Sequence, residues 1–305
     1  MTTRAIPIDI EPITPPPRWR IGLLEDNVGV PQLPPNAIPR LGGAIAYQAL
    51  DVRQSDLETN SFDPCDEADA DLLEGDQVHW NSWGIVEGAT CSTLSGLSGR
   101  LEETEARAEA ILAAKSSYLT EYSFWTGLVG GVQMNSGLGW PNIPLTDSAS
   151  SPNWVDLTPT DGEAGVVEAF GLVHEYLAET LQGLRGAIHV SPQLLPYLQF
   201  YGLVMRDGFR LGTYLGDHLV IAGSGYTGSG PGNVPQPDNR SWIYATSMVR
   251  VGKSDIQVRG AYDRQNNGAN AIAYRAVLAE FDGTAHAGVR VCLTDPGPEC
   301  DVPGS

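Results

Sequence analysis

The stretch that decides the fold runs from residue 184 to residue 251. Its first part reads AIHVSPQLLPYLQFY at 187–201, and its second part reads LVIAGSGYTGSGPGNVPQPDNRSWIYATSMVRV at 219–251. Short apolar runs bounded by glycine and proline are typical of buried strands, which we therefore predict at 187–190, 219–222, 242–245 and 249–251. A short helix is predicted at 191–201, and a long loop at 223–240 separates two of the strands.

Three glycines of this loop, Gly223, Gly225 and Gly228, have the GxGxxG spacing of a dinucleotide-binding site. Such a site requires a helix directly after the glycines and an acidic residue at the end of a later strand. The residues after Gly228 are rich in proline and cannot form that helix, and Asp238 lies within the loop. We therefore predict that these glycines bind no cofactor and that the loop serves assembly contacts at the tip of a domain.

Other chemical motifs are equally incomplete. Gly252-Lys253-Ser254 matches the end of a phosphate-binding loop, but Ser247 stands where that loop requires glycine. The sequence contains no GxSxG or HExxH motif, and His79, His174, His189, His218 and His286 show no metal-ligating spacing. We expect His174 and His189 to be interior or interface groups. We predict no catalytic, cofactor-binding or metal-binding residue, no cofactor, and no enzymatic activity.

The composition of the chain indicates a folded protein. Its 305 residues are 42% hydrophobic, which is enough for one large or two modest cores. No apolar run is long enough for a transmembrane helix, and the N-terminus lacks the apolar core of a signal peptide, so we expect folding in a cytoplasm. The net charge of −19 disfavours adhesion to nucleic acid or to anionic membranes. The basic residues are mostly arginine, which fits ion pairs at subunit interfaces and equally a GC-rich genome.

The acidic residues and the cysteines predict no metal site. The acidic stretch at 63–76 lacks the order of glycine and glutamate found in a calcium loop, so we interpret it as a solvated loop. Cys65, Cys91, Cys292 and Cys300 form no CxxC pair and are expected to be free thiols. Cys292 and Cys300 could pair with each other or with another chain if the protein leaves the cell.

The N-terminal third predicts an arm followed by a ribbon. Residues 1–40 are rich in proline but contain embedded apolar side chains, which indicates an extended arm lying across another surface. Two strands are predicted at 44–52 and 78–86. This ribbon either packs on a neighbouring subunit or folds back onto its own domain. Trp80 and Trp83 would lie on opposite faces of its second strand, where one could anchor the ribbon, or they belong to a local aromatic turn.

Two helices and a final set of strands complete the pattern. The first helix is predicted from Leu97 or Leu101 to Ser123, and the second at 165–183. Strands are predicted at 254–262, 271–281 and 288–293, with the last two paired in a closing sheet, and the tail at 294–305 is expected to be loop. The apolar stripe predicted for the first helix consists of Ala106, Ala110, Leu112, Ala113, Tyr118 and Leu119.

The order of these elements resembles the major capsid proteins of tailed bacteriophages, which share the Hong Kong 97 capsid fold with encapsulin compartments. Residues 187–192, AIHVSP, are similar to the family's strand-to-helix step, and residues 242–246 resemble actinobacterial siphophage head proteins. The resemblance implies an α+β, Hong Kong 97-like fold. Its parts would be an N-terminal arm at 1–40, an extended loop at 41–95, a peripheral domain with the spine helix at 96–164 and 246–305, and an axial domain at 165–245.

The same resemblance implies a structural function. The chain would self-assemble into pentamers and hexamers of an icosahedral head that encloses double-stranded DNA without sequence-specific contacts. Its partners would be itself, a portal, a separate scaffolding protein and a cement protein, but no membrane, and the head would form in the host bacterial cytoplasm. The alternatives are an encapsulin-like nanocompartment shell and a minor head or decoration protein, and an enzyme ranks last. Some members cross-link through a lysine of the extended loop, which is excluded because no lysine precedes Lys115.

Overall fold

The computed structural model describes residues 22–24, 46–48, 77–94, 101–129, 132–133, 143–149, 151, 153–160, 162–208, 210–263 and 268–293. These residues mix helices with antiparallel and parallel strands, so the predicted α+β class is confirmed. The helices are α1 (Leu101–Thr126), α2 (Val166–Leu181) and α3 (Leu195–Phe200). The strands are β1 (Ala46–Gln48), β2 (Gln77–Leu94), β3 (Leu128–Val129), β4 (Val132–Gln133), β5 (Trp154–Asp156), β6 (Ala164–Gly165), β7 (Gly186–Val190), β8 (Val204–Asp207), β9 (Arg210–Thr213), β10 (Leu219–Ala222), β11 (Arg240–Ser247), β12 (Val249–Lys253), β13 (Gln257–Asp263), β14 (Gly268–Asp282) and β15 (His286–Cys292).

The stretch quoted first forms the centre of an eight-stranded sheet. Its strand order is β5-β15-β11-β7-β10-β9-β8, and β6 also pairs with β15. Every residue of β7 and β10 is buried. A strand covered on both faces has no polar side to present, which explains why these segments are continuous apolar runs. The predicted strands at 187–190 and 219–222 are therefore confirmed.

The two faces of this sheet pack against different helices. Ile188 and Val190 point to the face that α2 covers, where they meet Phe170 and Val173. Ala187, one position out of phase, points to the opposite face and belongs to the core around the C-terminal end of α1. This alternation follows from the two-residue period of a strand. The α2 core is the larger apolar cluster and fixes α2 to the sheet.

A second sheet is built on the long strand β14. Its neighbour on one side is β2, and its other side pairs with β13 along the first half and with β12 along the second half. At 15 residues β14 is about 50 Å long. The predicted pairing of 271–281 with 288–293 is wrong, because β15 pairs with β11 in the eight-stranded sheet instead. Both segments are strands, but sequence alone did not show which partner each one takes.

The predicted ribbon is only partly as expected. Its two strands do pair, since β1 lies antiparallel to residues 77–79 of β2. However, β2 continues to Leu94, and residues 80–94 pair with β14 of the same chain. The alternative in which the ribbon folds back onto its own domain therefore holds for this part. The predicted acidic loop, most of the ribbon's first strand and most of the arm lie outside the described residues.

Helix α1 lies on the second sheet with a face that the apolar pattern does not predict. Of the predicted stripe, only Leu112 is buried, whereas Ala106, Ala110 and Tyr118 are exposed. The correct face repeats every four residues and is half polar. Small side chains let the helix lie close to the sheet, and polar ones find partners there, so the hydrophobic pattern pointed to the wrong side. The buried face along most of the helix consists of Thr104, Ala108, Leu112, Ser116 and Thr120.

Candidate functional site

The glycines of the 223–240 loop pack against α1. A Cβ atom on Gly225 would lie 2.3 Å from the carbonyl oxygen of Tyr118 and 2.5 Å from the amide nitrogen of Tyr122, so only glycine allows this approach. Gly228 has a φ of 75°, in the region that glycine favours. No α-helix follows it, as predicted, and residues 231–233 form only a single 3-10 turn. The predicted position at a free tip is wrong for the first half of the loop, which is mostly buried inside the chain, whereas residues 231–240 are half-buried or exposed.

A buried carboxylate joins this loop to α1 and to the N-terminal segment. Glu121 of α1 accepts a hydrogen bond from the amide of Leu23 at 2.8 Å and another from the amide of Gly225 at 3.0 Å. The hydroxyl groups of Ser224 and Ser117 donate to the same carboxylate at 2.9 and 3.3 Å. Leu23 and Leu24 are themselves buried in the core around the end of α1. The sequence prediction that the arm lies across another surface is confirmed for residues 22–24.

The environment of Glu121 is apolar apart from these donors. Burial raises the pKa of its carboxyl group, while the hydrogen bonds from Gly225, Leu23 and the two serines oppose that shift. Burial, together with the nearby Glu121 carboxylate, raises the pKa of Tyr226 well above its usual value. Glu121 therefore orders three segments that are distant in the sequence. Sequence analysis missed it because an acidic residue in a helix usually faces water.

We expect Glu121→Ala to destabilise the chain by about 2–4 kcal/mol, because two buried backbone amides lose their acceptor. Ser117→Ala removes only the longest of the four bonds and should cost less than about 1 kcal/mol. Urea unfolding measures both values, and limited proteolysis reports whether residues 22–24 come loose. Equal unfolding midpoints for the alanine variant at 121 and the native chain would contradict this role.

A second buried carboxylate fixes α1 to the sheet. Glu87 of β2 pairs with Arg275 of β14 at 3.2 Å, and the side chains are 1% and 12% exposed. Ser116 and Thr120 of α1 both donate hydrogen bonds to the same carboxylate. These contacts explain the polar residues on the buried face of the helix. Two carboxylates thus hold the C-terminal part of α1. Glu87 holds it through Ser116 and Thr120, and Glu121 holds it through the amides of Leu23 and Gly225.

The histidines fall into an interior pair and an edge pair. His189 and His286 are fully buried between the two sheets, which confirms the interior prediction for His189. Burial, together with His286, lowers the pKa of His189 to about 3, and burial lowers the pKa of His286 to about 4. Both are therefore neutral at physiological pH. His79 lies on β2, and the structure does not describe its side chain.

His174, Asp217 and His218 form the one cluster in the described chain with metal-ligating atoms in reach of one another. The Nε2 atom of His174 lies 2.8 Å from the Asp217 carboxylate, and that of His218 lies 3.9 Å from it. A metal-bound histidine donates its other ring N–H to an acceptor. Here the amide of Gly186 donates to Nδ1 of His218, so the neutral ring carries its proton on Nε2 and has no lone pair for a metal. The residues therefore do not fit a metal centre.

The remaining motif residues have structural positions. Gly252 and Lys253 end strand β12, which excludes a phosphate-binding loop, and Lys253 donates to the carbonyl of Leu24 at 3.3 Å. Cys91 carries a free thiol, as predicted, whereas Cys292 is disulfide-bonded. Trp80 and Trp83 both lie on β2, which favours the strand over the aromatic turn. No helix within the described ranges has both the length and the apolar character needed to cross a membrane.

Comparison with known proteins gives structural likenesses only. No known family profile and no curated protein sequence matches the chain. Among solved structures it is similar to the capsid of an empty GTA particle, with 12% identity over 94% of this chain and 95% of that chain and a TM-score of 0.46. It is also similar to a chain from Gordonia phage Cozz, with 14% identity over 70% of this chain and 71% of that chain and a TM-score of 0.41. A chain from the holo-SrpI encapsulin complex of Synechococcus elongatus has 9% identity over 70% of this chain and 74% of that chain, with a TM-score of 0.42. These TM-scores are below 0.5, so function must be argued from the chain itself.

Proposed function

We propose that this chain is the major capsid protein of a tailed bacteriophage. In this role it self-assembles into the pentamers and hexamers of an icosahedral head that encloses double-stranded DNA. The observation that supports the proposal is the order and layout of the elements. A buried N-terminal segment precedes the 18-residue strand β2, and the 26-residue helix α1 lies along the sheet. After β11 of the eight-stranded sheet the chain returns through β12–β14, and β15 then rejoins the eight-stranded sheet.

The layout suits a subunit that must be long and stiff. Helix α1 is about 39 Å long and lies on a strand of about 50 Å. The Ser116 and Thr120 hydroxyls of the helix donate to Glu87, which in turn pairs with Arg275 of that strand. We propose four parts in this order along the chain: an arm at 1–40, an extended loop at 41–95, a peripheral domain at 96–164 and 246–305, and an axial domain at 165–245. Strands β5, β6 and β15 join the sheet of the proposed axial segment, so the two proposed domains share one sheet.

The charge of the chain fits the enclosure of DNA. A net charge of −19 on each subunit repels phosphates, so DNA can be packed without adhering to the wall if the lumenal face is acidic. The proposed further partners are a portal, a scaffolding protein and a cement protein, and assembly takes place in the host cytoplasm. We propose no catalytic step for this chain.

Assembly of the purified chain tests the proposal directly. We expect the overexpressed protein, alone or with a scaffolding protein, to sediment as large particles that appear as shells, rings or tubes in negative-stain electron microscopy. A folded monomer under all conditions would contradict the capsid role and favour a decoration protein. Closed shells that carry an enzyme when purified from the native source would favour the nanocompartment instead.

A further inference from the structure

The second sheet has an open edge at β13. Strands β12 and β13 lie one after the other on the same side of β14. Most of β12 is buried, whereas residues 257–262 of β13 are half-buried or exposed, and Tyr262 is 61% exposed. Among the described residues β13 pairs with β14 alone, so the N–H and C=O groups along its other edge have no strand beside them.

Strand β13 lacks most of the features that protect an open edge. Natural edge strands are kept from pairing by proline, lysine or a very short length. The seven residues of β13, QVRGAYD, include neither proline nor lysine. Helix α1 covers one face of the strand, since a Cβ atom on Gly260 would lie 2.7 Å from a side-chain carbon of Leu101. That cover leaves the plane of the sheet open to another strand.

The order of charges along β13 makes the strand complementary to a second copy of itself. Positions 259, 261 and 263 share one face of the strand, because side chains alternate. Directly opposed residues of an antiparallel pair also share a face. A two-fold axis at Ala261 therefore sets Arg259 of each copy opposite Asp263 of the other. An axis at Arg259 would oppose two like charges, and an axis at Gly260 would set Arg259 opposite Ala261.

Arg259 is available for this contact. It is exposed, and its guanidinium carbon lies 5.7 Å from the centre of the Tyr274 ring on β14. No carboxylate of the described residues forms an ion pair with it. In a chain with a net charge of −19, an unpaired arginine on an open strand attracts a carboxylate of another molecule. Opposite charges at opposed positions stabilise a strand pair, and like charges destabilise it.

We propose that β13 pairs antiparallel with β13 of a second copy, across a two-fold axis at Ala261. The contact is isologous, and it joins the second sheets of the two copies into one continuous sheet. Main-chain hydrogen bonds supply the attraction, and the two pairs of Arg259 with Asp263 fix the register. The inference goes beyond the proposed capsid function and does not depend on it. In a capsid this contact links neighbouring capsomers, because the contacts around a ring are heterologous.

A cysteine at the axis tests the pairing in the full-length chain. Ala261→Cys sets two thiols directly opposite one another, with their Cβ atoms about 5 Å apart. Gln257→Cys is the matched control, because it lies on the same face of the same strand, but in this register it is about 27 Å from its counterpart. We expect oxidation of the concentrated chain with copper–phenanthroline to give a disulfide dimer on nonreducing electrophoresis with Ala261→Cys. The Gln257→Cys chain should show only the background of the native chain.

Charge substitutions in the Ala261→Cys chain test the register. Arg259→Glu alone and Asp263→Arg alone each set like charges opposite one another, and we expect either to lower the dimer yield about tenfold. The double variant restores opposite charges and should recover the dimer. Lys115→Glu reverses an exposed cation of α1, changes the net charge as much as Arg259→Glu, and should leave the yield unchanged. Circular dichroism of each variant confirms folding.

The outcomes separate this pairing from the capsid role. Equal dimer yields from Ala261→Cys and Gln257→Cys, or no dimer from either, overturn the pairing. A double charge variant that does not recover the dimer, or a Lys115→Glu variant that loses it equally, overturns the register and with it the proposal. Shells without the cross-link leave the capsid role intact. A cross-linked dimer from a chain that never forms shells keeps the pairing and contradicts the capsid role.

Discussion

Replacing Glu87 with alanine is expected to lower the free energy of unfolding by about 3–5 kcal/mol. The substitution leaves Arg275, only 12% exposed, without its carboxylate, and it removes the acceptor of the Ser116 and Thr120 hydroxyls. A buried charge that loses its partner costs far more than the pair itself contributes. Chemical denaturation at neutral pH, followed by circular dichroism, gives the value.

The matched control replaces both charged groups. Glu87→Leu combined with Arg275→Met exchanges the pair for apolar side chains of similar volume. We expect it to cost at least about 2 kcal/mol less than Glu87→Ala, since it leaves only the Ser116 and Thr120 hydroxyls, and no charge, without a partner. The contrast between the single and the double variant isolates the unpaired charge. If both variants lose the same stability, the pair contributes through packing alone and the interpretation is wrong.

The second large effect is a loss of stability in acid. The pKa of His189 is lowered to about 3 and that of His286 to about 4, whereas an unfolded histidine titrates near 6.5. Between these values the unfolded chain binds protons that the folded chain does not. Stability is therefore full above about pH 6.5 and falls as the pH drops towards 4, by about 1.4 kcal/mol per unit for each histidine.

The hydrogen bonds of the two rings explain why the folded chain excludes these protons. Thr246 donates to the carbonyl of Ser247, so its hydroxyl accepts from Nε2 of His189, and Nδ1 of that ring accepts from Tyr226. A proton on Nδ1 would meet the Tyr226 hydroxyl that already donates there. In His286, Nε2 donates to the carbonyl of Leu145, and Nδ1 has no hydrogen-bond partner among the described residues. A proton there would be buried without an acceptor.

Unfolding free energies at pH 7, 6 and 5 test this prediction. We expect the native chain to lose about 2.4 kcal/mol between pH 6 and pH 5 through the two histidines together. His286→Gln keeps a donor for Leu145 and should reduce the slope by half. The same slope in this variant as in the native chain would show that other groups control acid unfolding.

Much of the fold could be predicted from the sequence. Strand β10 occupies 219–222 as predicted, and α2 begins and ends within two residues of the prediction. One face of α2 and both faces of β10 are buried. The apolar residues of α2 therefore repeat with the helical period, and those of β10 form a continuous run. That no α-helix follows the GxGxxG motif was also predictable, because the proline residues after Gly228 exclude it.

Other features depended on contacts between distant residues. The buried face of α1 could not be found from hydrophobicity, because it includes Ser116 and Thr120, which are buried only through Glu87. Likewise the place of the glycine loop depends on Glu121, 104 residues from Gly225. Strand partners were also hidden, since β14 and β15 look alike in sequence but join different sheets.

By itself the sequence determined the α+β class, the order of the long helix and the strands that follow it, and the absence of a complete catalytic motif. It did so because periodicity and glycine or proline act locally along the chain. Only the tertiary structure decided which polar side chains are buried, why Gly225 must be glycine, and which apolar side chains remain exposed. The physical reason is that a buried carboxylate is tolerated only where donors converge on it, and these donors come from segments that folding alone brings together.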